Sequence, residues 1–317
     1  MKILASADWH IKLGQKNVPI PWAKARFREM FQQIHSLSAT TDAHIIMGDV
    51  FDKLPNMEEL ELYFEFVAGA RVFTYIFDGN HEATKKGSTF LSNLKAVTTQ
   101  INPLVEIIDD YATILGIDFI PYCRLKDFAN GVHPEFHGKI CASHFRAEIP
   151  PHVKPEINLA LFDHWSVVLA GDLHSHDNCQ RNILYPGSPV TTSFHRHAVD
   201  TGVILLDTTT LDYTWLKLEL PQLIRKTIQA GEPMPATDYH HTIYDIEGDM
   251  SQLGNLVDSE LIDKKIVKRE SDTALILEPD MTLAEEVDEY LRYVLNLNET
   301  TVAEALQELN NYAKEIN

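Results

Sequence analysis

Apolar residues recur along this chain in two alternating rhythms. Short runs such as "KILASAD", "AHIIMGD", "VFTYIFDGN", "GKICASH" and "SVVLAGDLH" read as strands buried on both faces. Between them lie helical stripes: Phe27, Met30, Phe31 and Ile34; then Leu60, Phe64 and Val67; then Phe90, Leu91, Leu94 and Val97 behind Ser88 as N-cap. "VEIIDDYATILGIDFIPY" reads as a hairpin, and "NILYPGSP" with "GVILLDTTTLDYTWLKL" closes the region. Strands alternating with amphipathic helices predict a layered α/β fold, with helices packed on sheet faces.

Near "LELPQL" the rhythm changes. A connection containing Pro and Gly, "QAGEPMPATD", leads into "HHTIYDIEG" and "KKIVKRE", expected as strands around a short helix. Thr282-x-x-Glu285 is a capping box ahead of Leu283, Val287, Tyr290, Leu291 and Val294. Thr301-x-x-Glu304 repeats the device ahead of Val302, Leu306, Leu309, Tyr312 and Ile316, a second amphipathic stripe. The expected organisation is a main α/β domain over 1–220, a small α+β capping domain over 221–280, and a C-terminal helical pair over 281–317.

Charge narrows the functional classes. The 317-residue chain carries a formal charge of −19, which repels phosphate backbones at long range and argues against an autonomous DNA binder. It leaves room for a nuclease that borrows a basic surface from a partner. Lys24, Arg26 and Arg28 in "AKARFRE" read as a solvated helix face. The longest apolar runs are too short to span a bilayer, and charge at residue 8 argues against a secretory signal. Cys123, Cys141 and Cys179 are isolated and odd in number, which suits a reducing cytoplasm rather than a disulfide framework.

The polar residues gather where the strands end. Asp8 and His10 follow "KILAS"; Asp49 and Asp52 follow "IIMG"; Asn80 and His81 follow "YIFDG"; His144 follows "ICAS"; Asp172 and His174 follow "VVLAG". Ligands of α/β sheets bind outside the carboxyl ends of the strands. Carboxylates crowded there repel one another unless divalent cations neutralise them. Oxygen and nitrogen donors without thiolate suit Mn²⁺, Fe²⁺ or Zn²⁺.

"SADWH", "GDVFD", "GNHE", a later strand-end histidine and "GDLH" resemble the motif series of the calcineurin-type metallophosphoesterases. "YPGSPVTTSF" at 185–194 narrows the resemblance to SbcD-type nuclease subunits. The resemblance implies a metallophosphoesterase sandwich of mixed sheets flanked by helices. It implies two divalent cations, Mn²⁺ or Mg²⁺, bridged by Asp49. Asp8, His10 and His174 would hold the first, and Asn80 and His144 the second. His81 would be the catalytic histidine, protonating the departing sugar oxygen, and Asp52 lies near the phosphate without an assigned role.

One position departs from the pattern. The family reads G-H-x-H where this chain reads Gly171-Asp172-Leu173-His174. In one register Asp172 joins the second cation, which favours a hard ion. In the other the pair slides to His174 and His176. The glycine ending the strand anchors the first register, leaving His176 as a surface residue or substrate contact.

The function implied is exonuclease and endonuclease action on DNA ends, in repair or recombination, with an SbcC-like coiled-coil ATPase as partner and room for a homodimer. The rivals are a stand-alone phosphatase or small-molecule phosphodiesterase of the same superfamily, and a metal-poor scaffold subunit.

Overall fold

The computed structural model describes residues 1–83, 89–151, 153–235, 239–247, 262–267, 282–295 and 297–316. The apolar runs of the first half form β1 (Lys2–Ser6), β2 (Ala43–Met47), β3 (Phe73–Phe77) and β4 (Val105–Ile108). After them come β5 (Ala112–Ile114), β6 (Ile117–Ile120), β7 (Ile140–His144), β8 (Val167–Gly171) and β9 (Ile183–Leu184). The hairpin of β10 (Gly202–Asp207) and β11 (Tyr213–Lys217) follows.

These strands make two mixed sheets, one six-stranded in the order β11-β10-β1-β2-β3-β4 and one five-stranded in the order β5-β6-β7-β8-β9. Within the first, β1 to β4 run parallel; within the second, β6 to β9 do. Alternate side chains of the two sheets, among them Ala5, Ile45, Phe77, Phe119, Ala142 and Leu169, share one core. The other face of the first sheet packs Leu4, Ile46 and Ile76 against helices α1 (Ile20–Ser38) and α2 (Met57–Gly69). The outer face of the second sheet is covered by α4 (Tyr122–Ala129), which follows α3 (Lys95–Ile101), and by loops carrying Phe145, Phe162 and Trp165. This is the mixed α/β sandwich that the motif series implies.

Several local expectations change. The run 105–122 is not one hairpin: β4 belongs to the first sheet, and only β5 and β6 pair as a hairpin, in the second. The polar link Asp109–Asp110 carries the chain between sheets, held by Lys95 at 2.7 Å and Arg124 at 2.9 Å. Helix α2 buries Leu62, Tyr63, Phe66 and Val67 together with Glu59, a face rotated from the Leu60/Phe64 stripe. Its N-cap Asn56 and Glu59 form a complete capping box, and Glu59 also accepts the Leu13 N–H at 2.8 Å, which explains a buried acid there. Ser88 lies outside the described residues; the segment behind it is a 3₁₀ turn over Leu91–Leu94 leading into α3.

Beyond residue 220, β12 (Leu223–Gln229), which the sequence pattern did not single out, joins β13 (His241–Glu247) and β14 (Ile262–Val267) in a three-stranded sheet. The described part of "KKIVKRE" lies in β14, and its last residues fall outside the described ones. Two compact units are distinguished, a large one built on Met1–Ile228 and Glu232–Asp245 and a small one that holds the C-terminal helices. In the small unit Thr282 caps α5 (Leu283–Glu289) through the expected capping box. A π-helical turn, Tyr290–Val294, extends α5. Helix α6 (Glu299–Ile316) starts a turn earlier than its Thr301 signal, because Asn298 accepts the Thr301 N–H at 3.0 Å and serves as the N-cap. Helices α5 and α6 pack on each other, and Val302 of the second stripe is fully buried. Among the described residues no helix is long and apolar enough to cross a membrane, and the cysteines are unbridged.

Candidate metal centre

The carboxyl ends of β1, β2, β3, β7 and β8 meet on one rim, because both sheets point their parallel strands there. The link between the sheets is direct: His144 at the end of β7 places Nδ1 at 2.8 Å from the Met47 carbonyl at the end of β2. Three of them, β1, β2 and β8, then turn sharply. Asp8, His10, Asp49 and Asp172 hold φ of 55°, 45°, 50° and 96°, the left-handed region that side chains disfavour. Each such residue costs on the order of 1–3 kcal/mol and persists only where its surroundings over-determine it.

Those surroundings are identifiable. Glu82, fully buried, accepts the N–H groups of Asp49 at 3.0 Å, Phe51 at 2.9 Å and Gly79 at 2.8 Å, tying two strand ends together. The Ser188 hydroxyl lies 2.6 Å from both the Asp8 and the Val190 carbonyls, its one proton shared between them. Trp9, between the two ligand candidates of the first motif, is fully buried and donates Nε1–H to Ser6 Oγ at 3.1 Å. Gly48, at φ 76°, lies where a Cβ would stand 2.5 Å from His144 Nδ1, so only glycine lets β2 and that ring approach. Gly187 of "YPGSP", also at φ 76°, passes against the His174 carbonyl, which a Cβ would meet at 2.7 Å.

The side chains these turns deliver converge. Asp8, His10 and His174 each bring a ligand atom within 4.8 Å of the others, as do Asp8, Asp49 and His144, and His10, Asp49 and His81. His10 Nε2 stands 3.1 Å from His174 Nε2 and 3.5 Å from Asp49 Oδ2. At His144 the backbone decides one role: a carbonyl only accepts, so Nδ1 carries a proton and Nε2 is the atom left to offer a lone pair when the ring is neutral. That lone pair faces Asn80 Oδ1 at 3.1 Å and Asp49 Oδ2 at 3.6 Å, three acceptors around one point. A cation would reconcile them; with the Asn80 amide in the opposite orientation its nitrogen would instead lie 3.1 Å from His144 Nε2 and 3.1 and 2.9 Å from the Asp49 oxygens. Mixed O and N donors, without thiolate, fit divalent cations of the Mn²⁺, Fe²⁺ or Zn²⁺ type.

Burial pushes the Asp8 carboxyl up to about 8, with the Asp49 charge adding to it against the pull of His144. Burial also lowers His10 to about 2, helped by the neighbouring histidines, so its ring is neutral and ready to ligate. For His144 burial works downward, but Asp49, Asp8 and Asp172 overcome it and raise the ring to about 9. Protons on Asp8 and His144 thus occupy the place that cationic charge would take.

The remaining candidates divide. Asp172 donates its N–H to Asp8 Oδ1 at 3.0 Å and brings Oδ1 to 3.8 Å from His144 Nε2, beside the tighter groups. His176 is not brought to them: its Nδ1 donates to the Tyr185 carbonyl at 2.7 Å and its ring stacks on Trp215, centroids 5.4 Å apart. His81 sits at the rim, its side chain 38 % exposed. Its Nδ1–H donates to the Asp52 carbonyl at 2.6 Å, and Nε2 lies 3.9 Å from Asp49 Oδ2. The Asp52 carboxylate stands behind His10, 3.7 Å from its Nδ1, and pairs with Lys12 at 2.8 Å.

Sequence reasoning missed Glu82, Ser188, Trp9 and Lys12. Glu82 and Ser188 lie inside "GNHE" and "YPGSP", where an acid after Asn-His and a serine after a turn glycine were the available signals. Arg26 corrects the solvated-face expectation: it is 4 % exposed and donates to the Thr191 carbonyl at 3.1 Å, while Lys24 and Arg28 pair with glutamates of α2.

The profile of the Calcineurin-like phosphoesterase family matches residues 1–175. A protein of Escherichia phage T5 named "Probable exonuclease subunit 1" is 39 % identical over 328 residues, covering 100 % of both chains. Among solved structures, an archaeal phosphodiesterase is similar over 69 % of this chain and 100 % of its own, at TM-score 0.41 and 13 % identity. A protein of Thermus thermophilus is similar over 68 % of this chain and 98 % of its own, at TM-score 0.43 and 13 % identity. The family profile spans the strands that build the rim and the T5 relative extends the likeness to both ends: the chain belongs to the calcineurin-like phosphoesterase family.

Proposed function

We propose that this chain is the nuclease subunit of a two-component DNA exonuclease, hydrolysing phosphodiester bonds at DNA ends with two Mn²⁺ or Mg²⁺ ions. The observation that carries the reading is the convergence of acceptor atoms from Asp49, Asn80 and His144 on one point, with Asp8, His10 and His174 gathered beside it. Asp49 would bridge the cations; Asp8, His10 and His174 would hold one, and Asn80, His144 and Asp172 the other. When bound, the cations neutralise charge on the phosphoryl oxygens and lower the pKa of the attacking water. The protein supplies the rest. Glu82 and Ser188 hold the strained turns, so the ligands need no reorganisation when substrate arrives. The Asp52 carbonyl fixes the His81 ring through Nδ1, which leaves Nε2 at the open rim to pass a proton to the departing sugar oxygen.

The full-length likeness to a relative named as an exonuclease subunit supports both DNA as substrate and a partner chain. The net charge of −19 supports the same division of labour, since a more basic partner must hold the duplex. That partner is a coiled-coil ATPase of the SbcC kind, and the C-terminal helices are its dock.

Linear duplex DNA incubated with the purified chain and its ATPase should be shortened in Mn²⁺, protected by a chelator, and shortened again when Mn²⁺ is restored. Hydrolysis of phosphomonoesters with no attack on DNA under any of these conditions would replace the reading with a stand-alone phosphatase.

A further inference from the structure

His174 stands past the end of β8, at an exposed position of the chain, and what fixes it comes from elsewhere in the sequence. Its carbonyl accepts the Ser188 N–H at 3.0 Å, and its Nδ1 lies 3.1 Å from the Thr192 hydroxyl. With Nε2 turned toward His10 and offered to a cation, Nδ1 carries the proton and Thr192 Oγ1 accepts it. His144 makes the equivalent bond to a strand carbonyl. A threonine hydroxyl is only as fixed as the segment that carries it.

That segment is tied down on both sides of Thr192. Thr191, 2 % exposed, accepts the Leu223 N–H of β12 on its Oγ1 at 2.9 Å. Arg26 of α1 reaches the same residue with Nη1, 3.1 Å from its carbonyl and 3.2 Å from its Oγ1. Further on, the His195 N–H donates to the Leu223 carbonyl at 3.1 Å, and the His195 carbonyl accepts the Arg225 N–H at 2.8 Å. Residues 188–195 thus form a strap. Ser188 and Thr192 join it to Asp8 and His174, and Thr191 and His195 join it to β12.

Arg26 is the part of the strap that needs a reason. It is 4 % exposed, and among the described residues no carboxylate pairs with it; burial alone lowers its guanidinium to about 10. Its Nε has no hydrogen-bond partner. The rings of Trp22 and Phe27, 5.1 and 5.4 Å from Cζ, offset part of the cost. A buried cation without an anion is destabilising, and an apolar side chain of similar volume would avoid that cost. What the guanidinium supplies in its place is two N–H groups on one nitrogen, enough for both oxygens of Thr191.

We propose that Thr192 is the positioning residue that aims His174 at the first cation, and that Arg26, by locking Thr191, fixes Thr192. The inference rests on the two-cation phosphodiesterase reading and adds a route by which the sheet of β12 acts on the centre. A shift of β12 reaches His174 through two adjacent residues, Thr191 and Thr192. Neither Thr192 nor Arg26 touches the reacting atoms; both act through His174.

The test reads the cations rather than turnover. Mn²⁺ is titrated into the full chain by calorimetry, and electron paramagnetic resonance distinguishes a coupled Mn²⁺ pair from isolated ions. The parent should bind two ions and give the coupled spectrum. Thr192→Val keeps the shape and removes the hydroxyl. It should weaken one of the two cations about 10- to 100-fold and, at intermediate Mn²⁺, replace the coupled spectrum by that of an isolated ion. Thr192→Ser should restore both. Arg26→Met should weaken the same cation about 3- to 10-fold, the worth of one hydrogen bond. Should that chain not fold, Arg26→Lys, which keeps the charge and loses the fork, carries the same expectation. A Thr192→Val chain that holds both cations as tightly as the parent overturns the positioning role, even if its melting temperature falls, and so does a Thr192→Ser chain as weak as the valine one. Unchanged affinity in a folded Arg26 variant overturns the anchor. In each of these cases a parent that binds the pair leaves the phosphodiesterase reading standing; a parent that binds no pair overturns that reading and the strap together.

Discussion

Asp49 sits with its Oδ2 3.5 Å from His10 and 3.6 Å from His144, histidines delivered by different sheets. A carboxylate so placed would serve both proposed cations, and Asp49→Ala should abolish phosphodiester hydrolysis and weaken both together. Elemental analysis that finds one cation still at full occupancy would refute the bridging role. His81 behaves differently, because its Nε2 stands at the open rim. In His81→Ala metal content should persist while turnover falls by a factor of about 10²–10⁴. An equal loss of metal would make it a ligand instead.

The protonation of the centre gives a third expectation. Asp8 is raised to about 8 and His144 to about 9, so at neutral pH the metal-free protein holds protons that incoming cations must displace. The sign follows. Folded-state values above the unfolded ones make these groups stabilising at low pH, and that contribution is lost as pH rises through about 8 and 9. Apparent Mn²⁺ affinity should therefore climb from pH 6 to 8, with proton release at pH 7 visible as buffer-dependent binding heats in calorimetry. Heats independent of the buffer would show that these groups are already deprotonated.

Among the elements, the turns after β2 and β3 depend on one side chain. Burial raises the Glu82 carboxyl to about 8, and its two oxygens accept the N–H groups of Asp49, Phe51 and Gly79. In Glu82→Gln an amide nitrogen must face at least one of those donors, leaving it unpaired at a cost of about 1–3 kcal/mol. A lowered melting temperature together with weakened Mn²⁺ binding is the expected outcome; unaltered values of both would show the turns to be held by other contacts. The same element scale shows why the helix stripes were read only in part. On α2, Leu60 and Phe64 fit the spacing as well as Leu62 and Phe66 do, and Glu59 is buried because it closes a cap and receives Leu13, a contact 46 residues away in sequence. At α6 the sequence reading placed the cap at Thr301, and Asn298, one turn earlier, takes that role.

At the scale of the whole molecule, acidity and the C-terminal helices set the remaining expectation. Helices α5 and α6 pack on each other with Val302 buried, while Tyr290, Leu295 and Leu297 stay 46 %, 48 % and 37 % exposed. The side chains of Tyr312 and Ile316, at the end of the second stripe, lie outside the described residues. Deleting 282–317 should leave metal content and small-phosphodiester hydrolysis intact and abolish ATP-stimulated digestion of DNA. A truncated chain that still binds the ATPase at full affinity would show that the dock lies elsewhere.

The sequence by itself determined the layered α/β class, the strand-end placement of Asp8, Asp49, Asn80, His144 and Asp172, and the family. All three follow from local pattern: buried strands declare themselves by composition, and the candidate ligands lie at their ends or within three residues beyond them. Only the tertiary structure decided which groups hold the ligands in place. Glu82, Ser188 and Gly187 act through contacts with backbone remote in sequence, and the pattern of apolar positions carries no trace of a hydrogen bond between Ser188 and Asp8. It likewise decided that Asp172 stands beside His144 while His176 stacks on Trp215. The motif alone places neither side chain; β8 ends at Gly171 against β7, with Asp172 on the His144 side and His176 against Trp215. The physical reason is common to both cases: strand register and sheet pairing are set by long-range packing, and the chemistry of a rim is fixed only when the sheets that form it have met.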